Sequence, residues 1–243
     1  MEYAIELHKL TKYFGPTAAV DGLDLRFEKG RHLGFIGKNG SGKTTTIKML
    51  MGLLRPTKGN GKVKGLDIVS DSIAIRRNVG YLPETSTPPS DFTVVSYLKY
   101  IGLHYGLSGS VLESRIEELL EMVGLSSAVS AKCGHLSKGM RQRLNVACAL
   151  VHSPEMIIFD EPTTGLDPGG RRDMLMMMRS FADKEGTVIF STHILADVER
   201  VADEVAMINE GKLVAQGDIE SLKKKHEVGD LEELFLMLTE GYR

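Results

Sequence analysis

The chain has 243 residues, 42% of them hydrophobic and 26% charged, enough length for a large α/β domain and the composition of an ordinary globular protein. Thirty basic side chains against thirty-two acidic ones leave a net charge of −2, which removes the sequence-independent pull toward nucleic-acid phosphates, so no nucleic-acid partner is expected. The opening MEYAIELHKL carries acids where a secretory leader is basic and then apolar.

In chain order, alternating apolar and polar positions predict strands over Ala4–Leu10 and Gly22–Glu28. His32–Ile36 is apolar throughout, as a strand buried on both faces requires. It runs into GKNGSGKT and a helix predicted from Lys43 to about Leu54, stopped near Pro56. Pro88-Pro89 opens a polar loop, and helices are expected at Val94–Tyr105 and Val111–Val123. The second carries a capping box, Ser110 with Glu113, has Gly124 just past its end, and keeps Leu112, Ile116, Leu119, Leu120 and Val123 at helical spacing. After LSKGM another helix runs to about His152. The strand pattern returns at Met156–Phe159 and Thr187–Phe190, with a helix at Arg171–Lys184 between them. Glu204–Ile208 and Lys212–Ala215 flank Asn209-Glu210-Gly211, a hairpin signal. Strands and helices alternate at both ends around a helical insertion, which argues for a parallel sheet with helices on both faces.

Gly37-Lys38-Asn39-Gly40-Ser41-Gly42-Lys43-Thr44 fits GxxxxGK[ST], the phosphate-binding P-loop. Its glycines let successive N–H groups curl toward phosphate oxygens, and the following helix adds its dipole. Lys43 is expected on the β- and γ-phosphates and the Thr44 hydroxyl on Mg²⁺. Chance would produce this pattern in on the order of one in a hundred chains of this length, and here a strand precedes it and a helix follows.

Ile157, Ile158 and Phe159 precede Asp160-Glu161-Pro162, placing two carboxylates at the carboxyl end of a strand, where α/β sheets gather ligands. Asp160 can hold the water shell of Mg²⁺ and Glu161 can polarise an attacking water. Thr187–Phe190 ends in Ser191-Thr192-His193, so His193 reaches the same edge.

Leu136-Ser137-Lys138-Gly139-Met140-Arg141-Gln142-Arg143 resembles the LSGGQ-type signature of ABC ATPases, and Thr163-Thr164-Gly165-Leu166-Asp167 resembles their D-loop. The P-loop, the Gln-loop region (Gly80–Glu84), the signature, the Asp160-Glu161 motif with its D-loop, and the histidine follow that family's order across nearly the whole chain. The resemblance implies a P-loop NTPase (RecA-like) core with an N-terminal antiparallel β subdomain and a helical insertion subdomain. Residues 1–85 and 154–217 would form the core, 86–153 the helical part and 218–243 a C-terminal helical tail. It implies ATP hydrolysis with Mg²⁺ as cofactor, and ATP bound by Gly37, Lys38, Asn39, Gly40, Ser41, Gly42, Lys43, Thr44 and Thr45. Phe14, or else its neighbour Tyr13, would stack on adenine, and Glu84 would stand at the Gln-loop position near Mg²⁺. Ser137, Lys138, Gly139 and Met140 would cap the ATP held by another subunit, with Asp167 signalling across a head-to-tail dimer. A separate transmembrane permease is the implied partner, with this chain at the cytoplasmic face of the membrane.

The sequence departs from the family at Glu84, where glutamine is usual, and at Lys138 and Met140, which replace glycine and glutamine. These changes, and the tail Leu231-Glu232-Glu233-Leu234-Phe235, are similar to the ABC-2-type exporter branch. Ribosomal and DNA-repair ABC ATPases, usually two cassettes on one chain or bearing a long coiled coil, fit less well; an ATP-gated module without turnover shares the same residues. Met174, Met176, Met177 and Met178 are expected as core filler, Lys223-Lys224-Lys225 as a solvated helix face, and Cys133 and Cys148 as reduced thiols.

Overall fold

A computed structural model describes residues 2–182 and 186–240; Met1, the helix end expected at Lys184, and the tail residues 241–243 lie outside them. Strands β1 (Tyr3–Phe14) and β2 (Thr17–Glu28) form one long antiparallel hairpin through Gly15, which sits at φ +57°. Both strands run further than their alternation suggests, because the turn lies at Gly15-Pro16 and pairing continues to Phe14–Thr17. β3 (His32–Ile36) leads to α1 (Lys43–Leu50). That helix ends before the expected Leu54 because Gly52, in the left-handed region at φ +61°, terminates it ahead of Pro56.

β4 (Lys58–Val63) and β5 (Leu66–Asp67) join the hairpin in a four-stranded sheet of order β2-β1-β4-β5. α2 (Ser72–Asn78) and β6 (Val79–Leu82) follow, then three helices: α3 (Val94–His104), α4 (Gly109–Met122) and α5 (Lys138–Leu150). The expected capping box fails. α4 starts earlier, after Ser108, and no side chain caps it, while Glu113 turns to Lys99 at 3.2 Å. Gly124 does follow the helix end, at φ +66°.

β7 (Met156–Asp160), α6 (Pro168–Ala182), β8 (Thr187–Thr192), α7 (Leu195–Val201), β9 (Glu204–Asn209) and β10 (Lys212–Asp218) complete a second sheet, order β10-β9-β3-β8-β7-β6. It is parallel except for the β9–β10 hairpin. α8 (Ile219–His226) and α9 (Leu231–Glu240) close the described chain. Of the four methionines on α6, Met174 and Met178 are buried, but Met176 is 60% exposed because it falls on the helix's outer face. Lys224 and Lys225 are exposed, whereas Lys223 pairs with Glu220 at 2.8 Å. Both cysteines are free, and no helix among the described residues is long and apolar enough to cross a membrane.

The period-two alternation of side chains sends β7 into two cores. Met156 and Ile158 join the cluster shared with the antiparallel sheet, while Ile157 and Phe159 join the one shared with the helices. Burial of each such side chain contributes about 1.5–3 kcal/mol, so the sheet is anchored from both sides with its carboxyl edge free. The close approach of α5 to β6 requires Gly80, since a Cβ there would lie 2.6 Å from the Ala149 carbonyl oxygen. Gly80→Ala is expected to destabilise the fold by about 1–3 kcal/mol, read as a lower urea midpoint at unchanged slope.

Candidate nucleotide site

The loop after β3 is shaped by glycines that admit no side chain. A Cβ on Gly37 would lie 2.3 Å from Ser41 Oγ, and one on Gly42, at φ +109°, 2.4 Å from the Ala19 carbonyl oxygen. The Gly211 N–H, in the β9–β10 turn, donates to the Ser41 carbonyl at 2.9 Å, and the Asp21 N–H donates to Gly211 O at 2.9 Å, so the loop is held between that turn and β2. α1 begins with no acidic residue in its first turn, leaving its N–H dipole available to an anion. Lys43 is 5% exposed and folds back over the loop, donating to Gly37 O at 2.7 Å and Lys38 O at 3.3 Å.

The register of the parallel strands brings the carboxylates to the same edge. Asp160 pairs with Ser191 across β7 and β8. Ser191 Oγ donates to Asp160 Oδ1 at 2.6 Å and accepts the Glu161 N–H at 2.9 Å, and Thr44 Oγ1 donates to Asp160 Oδ1 at 3.1 Å. Glu161 sits in the left-handed region at φ +50°, a costly backbone for a glutamate, and this turns its carboxylate toward Lys43. Oε1 lies 3.2 Å from Lys43 Nζ without a hydrogen bond, while Oε2 accepts from Thr164 Oγ1 at 3.1 Å and shares a hydrogen bond with His193 Nδ1 at 2.9 Å. Asn39, Gly40, Gly42, Lys43, Thr44, Thr45, Ala19, Glu84 and Glu161 line one cavity of about 380 Å³.

The signature residues lie elsewhere. Ser137 caps α5, its Oγ accepting the Met140 N–H at 3.2 Å, which leaves its own hydroxyl proton to donate outward. Ser137, Lys138, Gly139 and Met140 share a cavity of about 620 Å³ with Asp167, which caps α6 by accepting the Gly170 N–H at 2.8 Å. A pattern described as ABC transporter matches residues 20–164. Nod factor export ATP-binding protein I of Cupriavidus pinatubonensis is 38% identical over 88% of this chain and 66% of that protein. Bacitracin transport ATP-binding protein BcrA of Bacillus licheniformis is 38% identical over 93% of this chain and 73% of that protein. A solved ATP-binding subunit of an ABC transporter superposes with a TM-score of 0.87 at 31% identity, over 97% of this chain and 99% of that one.

This chain belongs to the ABC transporter ATP-binding family. It is an ATPase of that family, built on the expected α/β P-loop fold. In this ABC ATPase the phosphate loop, Asp160, Glu161 and His193 come together, and Glu84 lines the same cavity. Lys38 instead points outward and pairs with Glu240 of α9. Phe14 stands apart at the tip of the β1–β2 hairpin, 52% exposed, with the Lys12 ammonium 5.3 Å from its ring centre; Tyr13 beside it is 37% exposed.

Sequence reasoning missed several positioning residues of the ABC ATPase. Ser191 holds both acidic residues through its hydroxyl, a contact set by the strand register and without a signal in its local sequence. Thr164 orients Glu161, and buried Asp197 joins Thr163 Oγ1 at 2.9 Å to Arg171 Nε at 2.8 Å, neither showing a spacing pattern of its own.

Burial raises the Asp160 carboxyl above its ordinary 3.8; Ser191, Thr44 and Lys43 oppose the rise and the Glu161 charge adds to it. A carboxyl so raised holds its proton more tightly in the folded state. Its ionisation therefore subtracts stability as pH climbs from 3.8 through the raised value. Asp160→Asn, which keeps the acceptor for Ser191, is expected to raise the thermal midpoint of the nucleotide-free protein, at pH above the raised value, by about 2–4 °C per kcal/mol relieved. Calorimetry across pH checks this: the gain must shrink as the pH approaches 3.8.

Proposed function

We propose that this ABC ATPase works as one half of a head-to-tail pair that closes over two ATP molecules and drives export through a separate transmembrane permease. The observation that carries the reading is the separation of two half-sites. The cavity of Lys43 and Glu161 and the cavity of Ser137 and Asp167 share no lining residue. A single chain therefore does not bring its signature to its own phosphate loop, and a second copy in the reversed orientation supplies it.

In this reading the loop amides of Gly37–Thr45 and Lys43 bind the phosphates, and Phe14 stacks on adenine. Ser137, the Gly139 N–H and the Lys138 charge, flanked by Met140, cap the partner's ATP, with Asp167 beside them. The residues present fit a hard divalent cation: Asp160 Oδ2 is buried without a hydrogen bond, and the Thr44 hydroxyl stands beside the same carboxylate. Thr44, Asp160 and Glu84 would hold Mg²⁺, which when bound supplies charge neutralisation for the phosphates. Glu161 takes the proton of the attacking water, while His193 and Thr164 hold its other oxygen.

The permease docks beside Glu84, in a groove of about 270 Å³ where Tyr97, Ile101 and Tyr105 of the helical insertion face Met51 and Leu53. In this reading the chain works at the cytoplasmic face of the membrane. Two relatives named for Nod factor export and bacitracin transport support the exporter branch. Glu161→Gln is expected to bind ATP, to lose about 10²–10⁴-fold in turnover, and to accumulate as an ATP-dependent dimer in size-exclusion chromatography. Turnover at the wild-type rate in that variant would remove Glu161 from the chemistry.

A further inference from the structure

Glu84, where the resemblance to ABC ATPases implies a glutamine, puts a negative charge on the wall of the nucleotide cavity. It follows β6 by two residues, lines the same cavity as Lys43, Thr44 and Glu161, and has no ion pair or hydrogen-bond partner among the described residues. Its charge is felt at Tyr81, on the strand just before it. Burial raises the Tyr81 hydroxyl, and the negative charges of Asp160 and Glu84 both add to that rise.

Asp160, Glu161 and Glu84 thus stand around the phosphate pocket against the ammonium of Lys43. The loop's other cation does not correct this balance, because Lys38 is drawn outward to Glu240. His193 is already engaged with Glu161. Two carboxylate oxygens, Asp160 Oδ2 and Glu161 Oε1, are buried without hydrogen bonds, on residues only 1% and 7% exposed. Such a pocket repels a bare polyphosphate, and a divalent cation arriving with the nucleotide cancels much of that repulsion. A glutamine at this place would add no charge of its own.

We infer that Glu84 is a specificity-determining carboxylate that shuts out metal-free nucleotide, so that the site accepts ATP as its divalent-metal complex. The inference rests on reading this cavity as an ATP site. It concerns which charged form of the nucleotide enters, and is separate from any part Glu84 plays in holding the cation.

The test is isothermal titration calorimetry of the full chain with ATP, in excess Mg²⁺ and again in EDTA, for wild type, Glu84→Gln and Glu84→Asp. Glu84 is exposed and unpartnered, so neither variant disturbs packing. In EDTA, Glu84→Gln is expected to bind ATP about fivefold more tightly than wild type, the scale for removing one partly screened charge. Glu84→Asp, which keeps the charge, should stay within about twofold of wild type, and added KCl should shrink the gap between wild type and Gln. An affinity in EDTA that is unchanged or weaker in Glu84→Gln overturns the inference, whatever happens in Mg²⁺. So does an Asp variant that behaves as Gln does. Wild-type protein that fails to bind ATP in Mg²⁺ overturns the ATP-site reading together with this one, whereas normal Mg²⁺-dependent binding with no effect of Gln overturns this inference alone.

Discussion

Lys43 Nζ and Glu161 Oε1 lie 3.2 Å apart with their side chains 5% and 7% exposed. Taking both ions out of water costs several kcal/mol each, and their attraction offsets this only when their remaining atoms are also satisfied. They are: Lys43 donates to two carbonyls of its own loop, while Thr164 and His193 hold the far oxygen of Glu161. These partners come from the ends of β3, β7 and β8. The pair therefore exists only if three strands finish at the same level, and that requirement explains much of the sheet.

The strand order meets it. β3 lies beside β8 and β8 beside β7, with Ile36 opposite Thr192 and Asp160 opposite Ser191. All are parallel and packed from both faces, so their carboxyl ends are fixed relative to one another while remaining open to a ligand. Glu161 adds local strain. Its left-handed backbone is held because Ser191 Oγ accepts its N–H while donating to Asp160, so one hydroxyl fixes both neighbouring acids. The chain tolerates strain and unsatisfied buried carboxylate oxygens at the place where a cation or a bound water would satisfy them.

The cost of keeping Asp160 ionised without a ligand belongs to the same pattern, and it was invisible in the sequence because burial is set by tertiary packing. What the sequence did reveal were features with a local physical cause. The glycines of the phosphate loop have steric reasons visible in their spacing, and the apolar runs within His32–Ile36 and Met156–Phe159 read as short strands buried on both faces. The edge to which Asp160, Glu161 and His193 rise follows from where those runs stop. Long-range geometry was not legible. Nothing near Ser110 announced that α4 would begin at Gly109, nor did anything near Ser191 announce its contact with residue 160. β4, β5, α2, β6 and α7 are short, and their patterns are weak at that length, because long-range pairing and packing rather than local periodicity define them. The pairing of Lys38 with Glu240 joins residues at opposite ends of the chain, beyond any local pattern.

The phosphate-loop cavity and the Ser137 cavity share no lining residue and yet are mechanically joined within one chain. Gln142 on the signature helix donates through Nε2 to the Pro162 carbonyl at 3.0 Å, immediately after the catalytic-edge glutamate. Lys138 lies across Gly165, so closely that a Cβ there would meet its ammonium. Arg171 of α6 reaches Asp197, which also holds Thr163. A load applied at Ser137 therefore passes through α5 and the 162–167 loop to the backbone that aims Glu161. Packed interiors transmit such displacements because they lack the free volume to absorb them. The same short segment carries Glu161 at one end and Asp167 at the other, so the two cannot move independently. In the proposed head-to-tail pair, capture of a nucleotide at Ser137 and alignment of Glu161 on the chain's own nucleotide would become a single mechanical event.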